Sequence, residues 1–154
     1  MPELVTHLSL AAVLGRVRGR WHETLLFLLG TALPDIVGRP LLLVPGVPAL
    51  MNAPSHALVV QPVLAGVACL FFAQPRRDRV FALLLAGCLL HLVCDALQSH
   101  YGAWFTYHFL FPFSLRHSGG GFFHPSASIC GAPWFLALAL VCWLPRLGKA
   151  SATP

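Results

Sequence analysis

Residues 80–98 read VFALLLAGCLLHLVCDALQ, an apolar stretch of helical length that contains one histidine and one aspartate. An α-helix needs about 20 apolar residues to span the hydrocarbon core of a bilayer. His91 and Asp95 are four residues apart, and such positions lie on the same face of a helix. The stretch therefore predicts a membrane helix whose imidazole and carboxylate can reach one ion. The structural alternative is a hydrogen bond between the two side chains that only helps helices to pack.

The whole chain is poor in charged residues. Of its 154 residues, 57% are hydrophobic and 10% are charged, and the mean hydropathy is +0.75. Soluble domains carry about 25% charged residues, so this chain lacks the groups that coat a water-facing surface. The net charge of +5 comes mainly from short basic clusters between apolar runs, as in membrane loops. We therefore predict a lipid bilayer as partner and no nucleic acid, and the sequence leaves the oligomeric state open.

The predicted fold class is all-α, a polytopic membrane helical bundle of about four to five transmembrane or re-entrant helices. Predicted helices cover residues 3–15, 21–32, 55–73, 80–98 and 132–144. We expect the second of these to stop at Leu33-Pro34-Asp35, because proline disrupts a helix. Residues 39–54 hold four prolines and are predicted as a re-entrant or interfacial excursion. One integral-membrane domain is expected over residues 1–148, followed by a short tail over 149–154.

The basic residues predict how the bundle is oriented. Three basic clusters lie at residues 16–20, 76–79 and 146–149. If all three are cytoplasmic, the five segments alternate and the N-terminus is outside, with Arg39 and Arg116 as exceptions. The first segment shows no features of a cleaved signal peptide, so we expect it to be retained.

This topology places five potential metal ligands toward the extracytoplasmic side of the bundle. They are His7, Asp35, His56, His91 and Asp95. Unpaired carboxylates within an apolar span are costly, whereas a divalent cation would stabilise both aspartates. Two histidines and two aspartates suit zinc, with manganese or iron as alternatives. An open position on such an ion could activate a water molecule to attack an ester.

Several of these residues have a simpler structural interpretation. Asp35 could cap a helix end, and His56 could be an interfacial side chain. Ser55 is predicted as the N-cap of the helix that begins there. The histidines at 108, 117 and 124 lie in an aromatic-rich stretch and are predicted to be interfacial.

The ordered set of motifs resembles a known family. His7, the run Leu29–Asp35, Ser55-His56 and the run Leu90–Leu97 resemble the YdjM-like family of membrane-bound metal-dependent hydrolases. The later Tyr101-Gly102 and Phe111-Pro112-Phe113-Ser114 match the aromatic-rich continuation of that family, so the resemblance covers about residues 4–114. Two motifs depart from the family pattern: Asp35 is followed by Ile36-Val37-Gly38, without the second acid and histidine, and Asn52–His56 is a reduced form of a longer motif.

The order His, Asp, His, HxxxD is also similar to that of zinc-dependent phospholipase C. The two resemblances imply that Asp35, His56, His91 and Asp95 share one metal ion, with His7 as a further ligand or proton donor near a possible second one. They imply phosphoester hydrolysis, with a small-molecule or lipid substrate, in the bacterial inner membrane. His100, five residues after Asp95, is a candidate general acid or extra ligand. The alternatives are a non-catalytic membrane protein with a structural His/Asp cluster and an ion or proton transporter.

Overall fold

The structure, a computed structural model, describes residues 2–16, 20–42, 54–98, 108–114, 121–122 and 124–150. Its α-helices are α1 (Pro2–Arg16), α2 (Trp21–Leu42), α3 (Gln61–Cys69), α4 (Arg77–Leu97) and α5 (Pro125–Ala150). Short 3₁₀ turns at Pro54–His56, Leu58–Val60 and Gln74–Arg76 flank α3. These ranges contain no β-strand, so the predicted all-α class is confirmed.

Helices α2 and α4 run parallel and form the centre of the molecule. At their N-terminal ends, Glu23 of α2 is ion-paired with Arg79 of α4. Toward their C-terminal ends, Asp35 of α2 lies 3.8 Å from His91 of α4, between Oδ1 and Nε2. The central pair therefore has an end with basic residues and an end with the predicted metal ligands.

The remaining helices pack around this pair. The hydroxyl of Thr24 in α2 donates to the carbonyl of Gly15 at 3.1 Å, which fastens the end of α1 to the start of α2. Helix α5 packs on α1, and the indole N–H of Trp143 donates to the Ala12 carbonyl at 3.1 Å. Helix α3 packs on α4. Helix α1 therefore brings His7 to the end where Asp35 and His91 lie.

Two glycines allow α2 and α4 to approach closely. A Cβ on Gly30 would overlap the backbone of Leu84, and a Cβ on Gly87 would overlap the backbone of Phe27 and Thr31. Small residues at a helix contact are typical of membrane bundles, where packing replaces the hydrophobic effect as the driving force. Because Gly87 precedes His91 by one turn, this contact also sets how far the imidazole is from α2.

Polar side chains are buried while many large apolar side chains are exposed. The five predicted metal ligands are between 0 and 4% exposed. By contrast, Phe71 is 88% exposed and Trp134 is 79% exposed. Buried polar side chains together with exposed large apolar ones are the reverse of the usual distribution in soluble proteins.

One helix among the described residues is long and apolar enough to cross a membrane. It covers Gln74–Leu97 and has a hydropathy of 2.3. Shorter apolar helical segments cover Leu4–Gly15, Leu58–Cys69 and Cys130–Trp143. The stretch at 80–98 thus has the helical form and length that its sequence predicts.

The prediction that α2 ends before Pro34 is wrong. The helix continues through Pro34 and Pro40 to Leu42, so Asp35 lies inside a helix rather than at its end. Proline removes one backbone hydrogen bond, but packing against a neighbouring helix can compensate. Pro34 is fully buried, and the main packing partner of α2 is α4.

The helix predicted over 55–73 is also shorter than expected. Regular α-helix begins only at Gln61 and ends at Cys69, after two 3₁₀ turns. Ser55 is therefore not the N-cap of this helix; its hydroxyl contacts Nδ1 of the neighbouring His56 at 2.9 Å. The last helix, in turn, is longer than the predicted 132–144.

Candidate metal centre

The first two candidate ligands lie one turn apart on α4. Nε2 of His91 is 3.1 Å from Oδ2 of Asp95, as the i, i+4 spacing predicts. Both side chains are buried. The helical geometry alone therefore places an imidazole and a carboxylate together inside the bundle.

Helix α2 supplies a second carboxylate. Oδ1 of Asp35 lies 3.6 Å from Nε2 of His56 and 3.8 Å from Nε2 of His91. The close contact of α2 and α4 at their glycines permits this approach. Asp35 reaches the site from inside a helix, which fixes its position more firmly than the predicted helix end would.

His56 comes from the 3₁₀ turn before α3. Its Nε2 lies 3.3 Å from Nε2 of His91 and 3.6 Å from Oδ2 of Asp95. The buried amide of Gln61 donates to the carbonyls of Ser55 at 2.9 Å and of Ala57 at 2.8 Å, which holds the turn in shape. His56 therefore faces the core and is not an interfacial side chain.

These four donor atoms have the spacing that a metal ion requires. The five distances given above among His56 Nε2, His91 Nε2, Asp35 Oδ1 and Asp95 Oδ2 run from 3.1 to 3.8 Å. Ligands at about 2.0–2.2 Å from a tetrahedral zinc ion are separated by about 3.3–3.6 Å. These five distances agree with those between ligands of one ion, and Asp35, His56 and His91 form a group whose donor atoms all lie within 4.8 Å of one another.

Hydrogen bonds within the cluster leave some polar atoms without a partner, and a bound cation would supply one. Two Nε2 atoms, of His56 and His91, face each other at 3.3 Å, where at most one can donate a proton to the other. Oδ2 of Asp35 is buried and has no hydrogen-bond partner among the described residues. Buried polar atoms without partners are costly, so the donor set fits a bound cation better than a closed hydrogen-bond network.

His7 lies on the opposite side of Asp95. Its Nε2 is 3.7 Å from Oδ1 of Asp95, whereas Oδ2 of the same carboxylate faces His56 and His91. The His7 ring also packs edge-on against His91, with ring centroids 4.8 Å apart. His7, His91 and Asp95 form a second group of potential ligands that shares members with the first.

Three polar residues that support the site were not predicted from the sequence. Arg39 places Nε 2.7 Å from Oδ1 of Asp35, Nε2 of Gln98 lies 3.4 Å from Nε2 of His7, and Gln61 holds the His56 turn. A spacing signal was available for two of them. Arg39 follows Asp35 by four residues within α2, and Gln98 follows Asp95 by three at the C-terminal end of α4, so the spacing places each near a predicted ligand.

The later histidines have different outcomes. His100 and His117 lie outside the described residues. The prediction that His100 is a general acid or an extra ligand is therefore not tested. His124 is exposed, as expected of an interfacial residue, whereas His108 is buried. His108 opens the turn 108–114, in which the Phe109 carbonyl accepts a 2.9 Å hydrogen bond from Leu58 N–H, two residues after His56.

Comparisons with protein-family models, with curated proteins and with solved structures return no match. The geometry of the buried cluster is therefore the main indication of function.

Proposed function

We propose that this protein is a polytopic membrane protein with a metal-dependent hydrolase site for phosphoester substrates, lipids among them. The observation that carries the proposal is the convergence of His56, His91, Asp35 and Asp95 inside the molecule, where neighbouring donor atoms lie 3.1 to 3.6 Å apart. Ionisable groups buried in an apolar bundle are expensive and are usually functional. The motif order that resembles the YdjM-like family and zinc-dependent phospholipase C supplies the reaction type.

The membrane part of the proposal rests on the distribution of polar and apolar side chains. A bundle with exposed phenylalanines and leucines and a buried ionic cluster suits hydrocarbon surroundings. The basic turn Gln74–Arg79 would be cytoplasmic, because positive loops stay inside. The metal site would then lie in the outer half of the bacterial inner membrane.

The proposed ligands are Asp35, His56, His91 and Asp95, with zinc as the preferred ion and manganese or iron as alternatives. A divalent ion bound there would polarise a phosphoryl oxygen and lower the pKa of a water molecule to about 7. Nε2 of His91 and Oδ2 of Asp95, 3.1 Å apart, would both face this ion. His7, within 3.7 Å of the other Asp95 oxygen, is placed to donate a proton to a leaving group or to act as an additional ligand.

Two aspartates on α4 allow a matched test. Asp95 lies in the buried site, whereas Asp78 is exposed in the first turn of the same helix. Zinc-loaded protein in detergent would be assayed with an aryl phosphomonoester and a bis-aryl phosphodiester. We expect hydrolysis by the wild type and Asp78→Asn, and only background for Asp95→Asn and for chelator-treated protein. Equal rates for the two variants, or full activity after chelation, would contradict the proposal.

The second candidate is a structural metal site without turnover. It is favoured by the near-complete burial of all four donors and by their number, since structural zinc sites use four protein ligands. In that case chelation would lower the unfolding temperature of the wild type, and no phosphoester would be hydrolysed at any metal loading.

A further inference from the structure

A cavity lies at the opposite end of the bundle from the metal centre. Its volume is about 1010 Å³, and it is formed by the N-terminal halves of α2 and α4 and the turn that precedes α4. None of the metal-site residues lines it. The proposed hydrolase function assigns no role to this cavity.

The rim of the cavity is positively charged. Arg20, Arg76 and Arg79 line it, together with the single carboxylate of Glu23. Arg20 lies 3.7 Å from Glu23, Arg79 is ion-paired with the same carboxylate, and their side chains are 62% and 63% exposed. Three guanidinium groups against one carboxylate leave a charge of +2 at the rim. The buried Glu23 thus fixes two arginines in place without neutralising the group.

The walls of the cavity are apolar. Leu26, Leu83 and Phe72 line it below the arginines, and Trp21 stands at the rim with 64% of its surface exposed. Tryptophan at the edge of an apolar surface is typical of the interface between lipid headgroups and hydrocarbon. The cavity therefore combines a cationic rim, an interfacial aromatic residue and a hydrocarbon-like wall.

We propose that this cavity binds an anionic glycerophospholipid, with its phosphate at Arg20, Arg76 and Arg79 and part of an acyl chain along Leu26, Phe72 and Leu83. The net positive rim selects an anionic headgroup over a zwitterionic one, and the apolar wall selects a lipid over a soluble anion. The inference rests on the membrane part of the proposed function and is independent of the metal site. The lipid would come from the leaflet that contacts the basic turn.

Arg76 is the best residue for a test, because it is exposed and its side chain is not tied to the buried Glu23. Purified protein would be titrated with phosphatidylglycerol or phosphatidylcholine in neutral detergent, and bound lipid counted by native mass spectrometry. Arg77→Gln is the control, since it removes one positive charge at the same end but Arg77 does not line the cavity. We expect one retained phosphatidylglycerol for wild type and Arg77→Gln, and affinity about fivefold lower for Arg76→Gln.

Three results would overturn the proposal: equal binding of the two lipids by wild type, unchanged affinity in Arg76→Gln, or displacement of the lipid by millimolar inorganic phosphate. The last would identify a soluble-anion site instead. A separate measurement, carbonate washing of membranes that contain the expressed protein, tests the membrane assignment itself. Protein that stays in washed membranes but shows no lipid preference rejects the lipid site alone, whereas protein released by the wash rejects both.

Discussion

His91 is the central residue of the buried cluster. Its Nε2 lies within 3.8 Å of Nε2 of His56 and of carboxylate oxygens of both Asp35 and Asp95. Its ring also contacts His7. No other imidazole in the cluster touches all of the remaining members, so the loss of this ring should disturb the site most.

We expect His91→Ala to weaken zinc binding by more than about 100-fold. Residues that only hydrogen-bond to a metal ligand contribute about 10–100-fold to metal affinity, and the loss of a ligand itself should cost more. His22→Ala is the matched control, since His22 is exposed at the start of α2. Competition with a zinc chelator of known affinity measures both variants. A His91→Ala protein with wild-type affinity would remove His91 from the site.

Replacing Arg39 tests whether its guanidinium group orients the carboxylate of Asp35. Its Nε lies 2.7 Å from Oδ1, the oxygen that faces His56 and His91. Groups that hold a ligand in place typically contribute about 10–100-fold to metal affinity. We expect Arg39→Gln to lose affinity within that range while still binding one zinc ion, as measured by the same competition. Tighter binding would instead show that the guanidinium competes with the metal.

At the scale of elements, the parallel contact of α2 and α4 determines whether the ligands meet. Gly30 and Gly87 bring the two backbones together, and Asp35 and His91 follow these glycines by about one turn. Any wider separation would move a carboxylate of one helix away from an imidazole of the other. The close contact is therefore a condition for the site as well as for packing.

Replacing Gly87 by alanine should test this contact. The added methyl group would overlap the backbone of Phe27 and Thr31, and overpacking of this kind costs about 1–3 kcal/mol. Gly66→Ala is the control, because its Cβ would meet only the Phe81 ring at 4.0 Å. We expect a lower free energy of unfolding and weaker zinc binding for Gly87→Ala alone. Equal behaviour of the two variants would contradict the close approach.

Much of the site could be predicted from spacing, and the rest depended on tertiary packing. The i, i+4 rule sufficed for His91 and Asp95, and the all-α class followed from apolar runs of helical length. The end of α2 was placed wrongly because local proline rules do not include the packing of Pro34 against neighbouring helices. Gln61 could not be assigned either, since its role depends on a turn that the sequence suggested would be regular helix.

At the scale of the whole molecule, charge separates the two ends of the bundle. The Glu23–Arg79 pair and the basic turn lie at one end, and the His/Asp cluster lies at the other. The parallel arrangement of α2 and α4 agrees with the alternation that the basic residues predict. A single orientation in the membrane follows if the basic end is cytoplasmic.

Cysteine labelling in intact cells tests this orientation. Asp78 is exposed at the basic end, and Phe113, 85% exposed, lies in the turn bonded to Leu58 near the metal site. In a background with the exposed Cys130 changed to serine, a membrane-impermeant maleimide should label Phe113→Cys but not Asp78→Cys. Lysed cells should label both, which provides the control. The reversed pattern would invert the topology and move the site to the cytoplasmic side.

The most direct test of the metal centre is zinc X-ray absorption combined with elemental analysis of the purified full chain. We expect one zinc ion per chain, bound by nitrogen and oxygen at about 2.0–2.2 Å with no sulfur ligand. We further expect Asp95→Asn to lose the ion and Asp78→Asn to keep it. Protein without stoichiometric metal after zinc loading, a sulfur ligand at about 2.3 Å, or full retention of zinc by Asp95→Asn would rule out this metal centre.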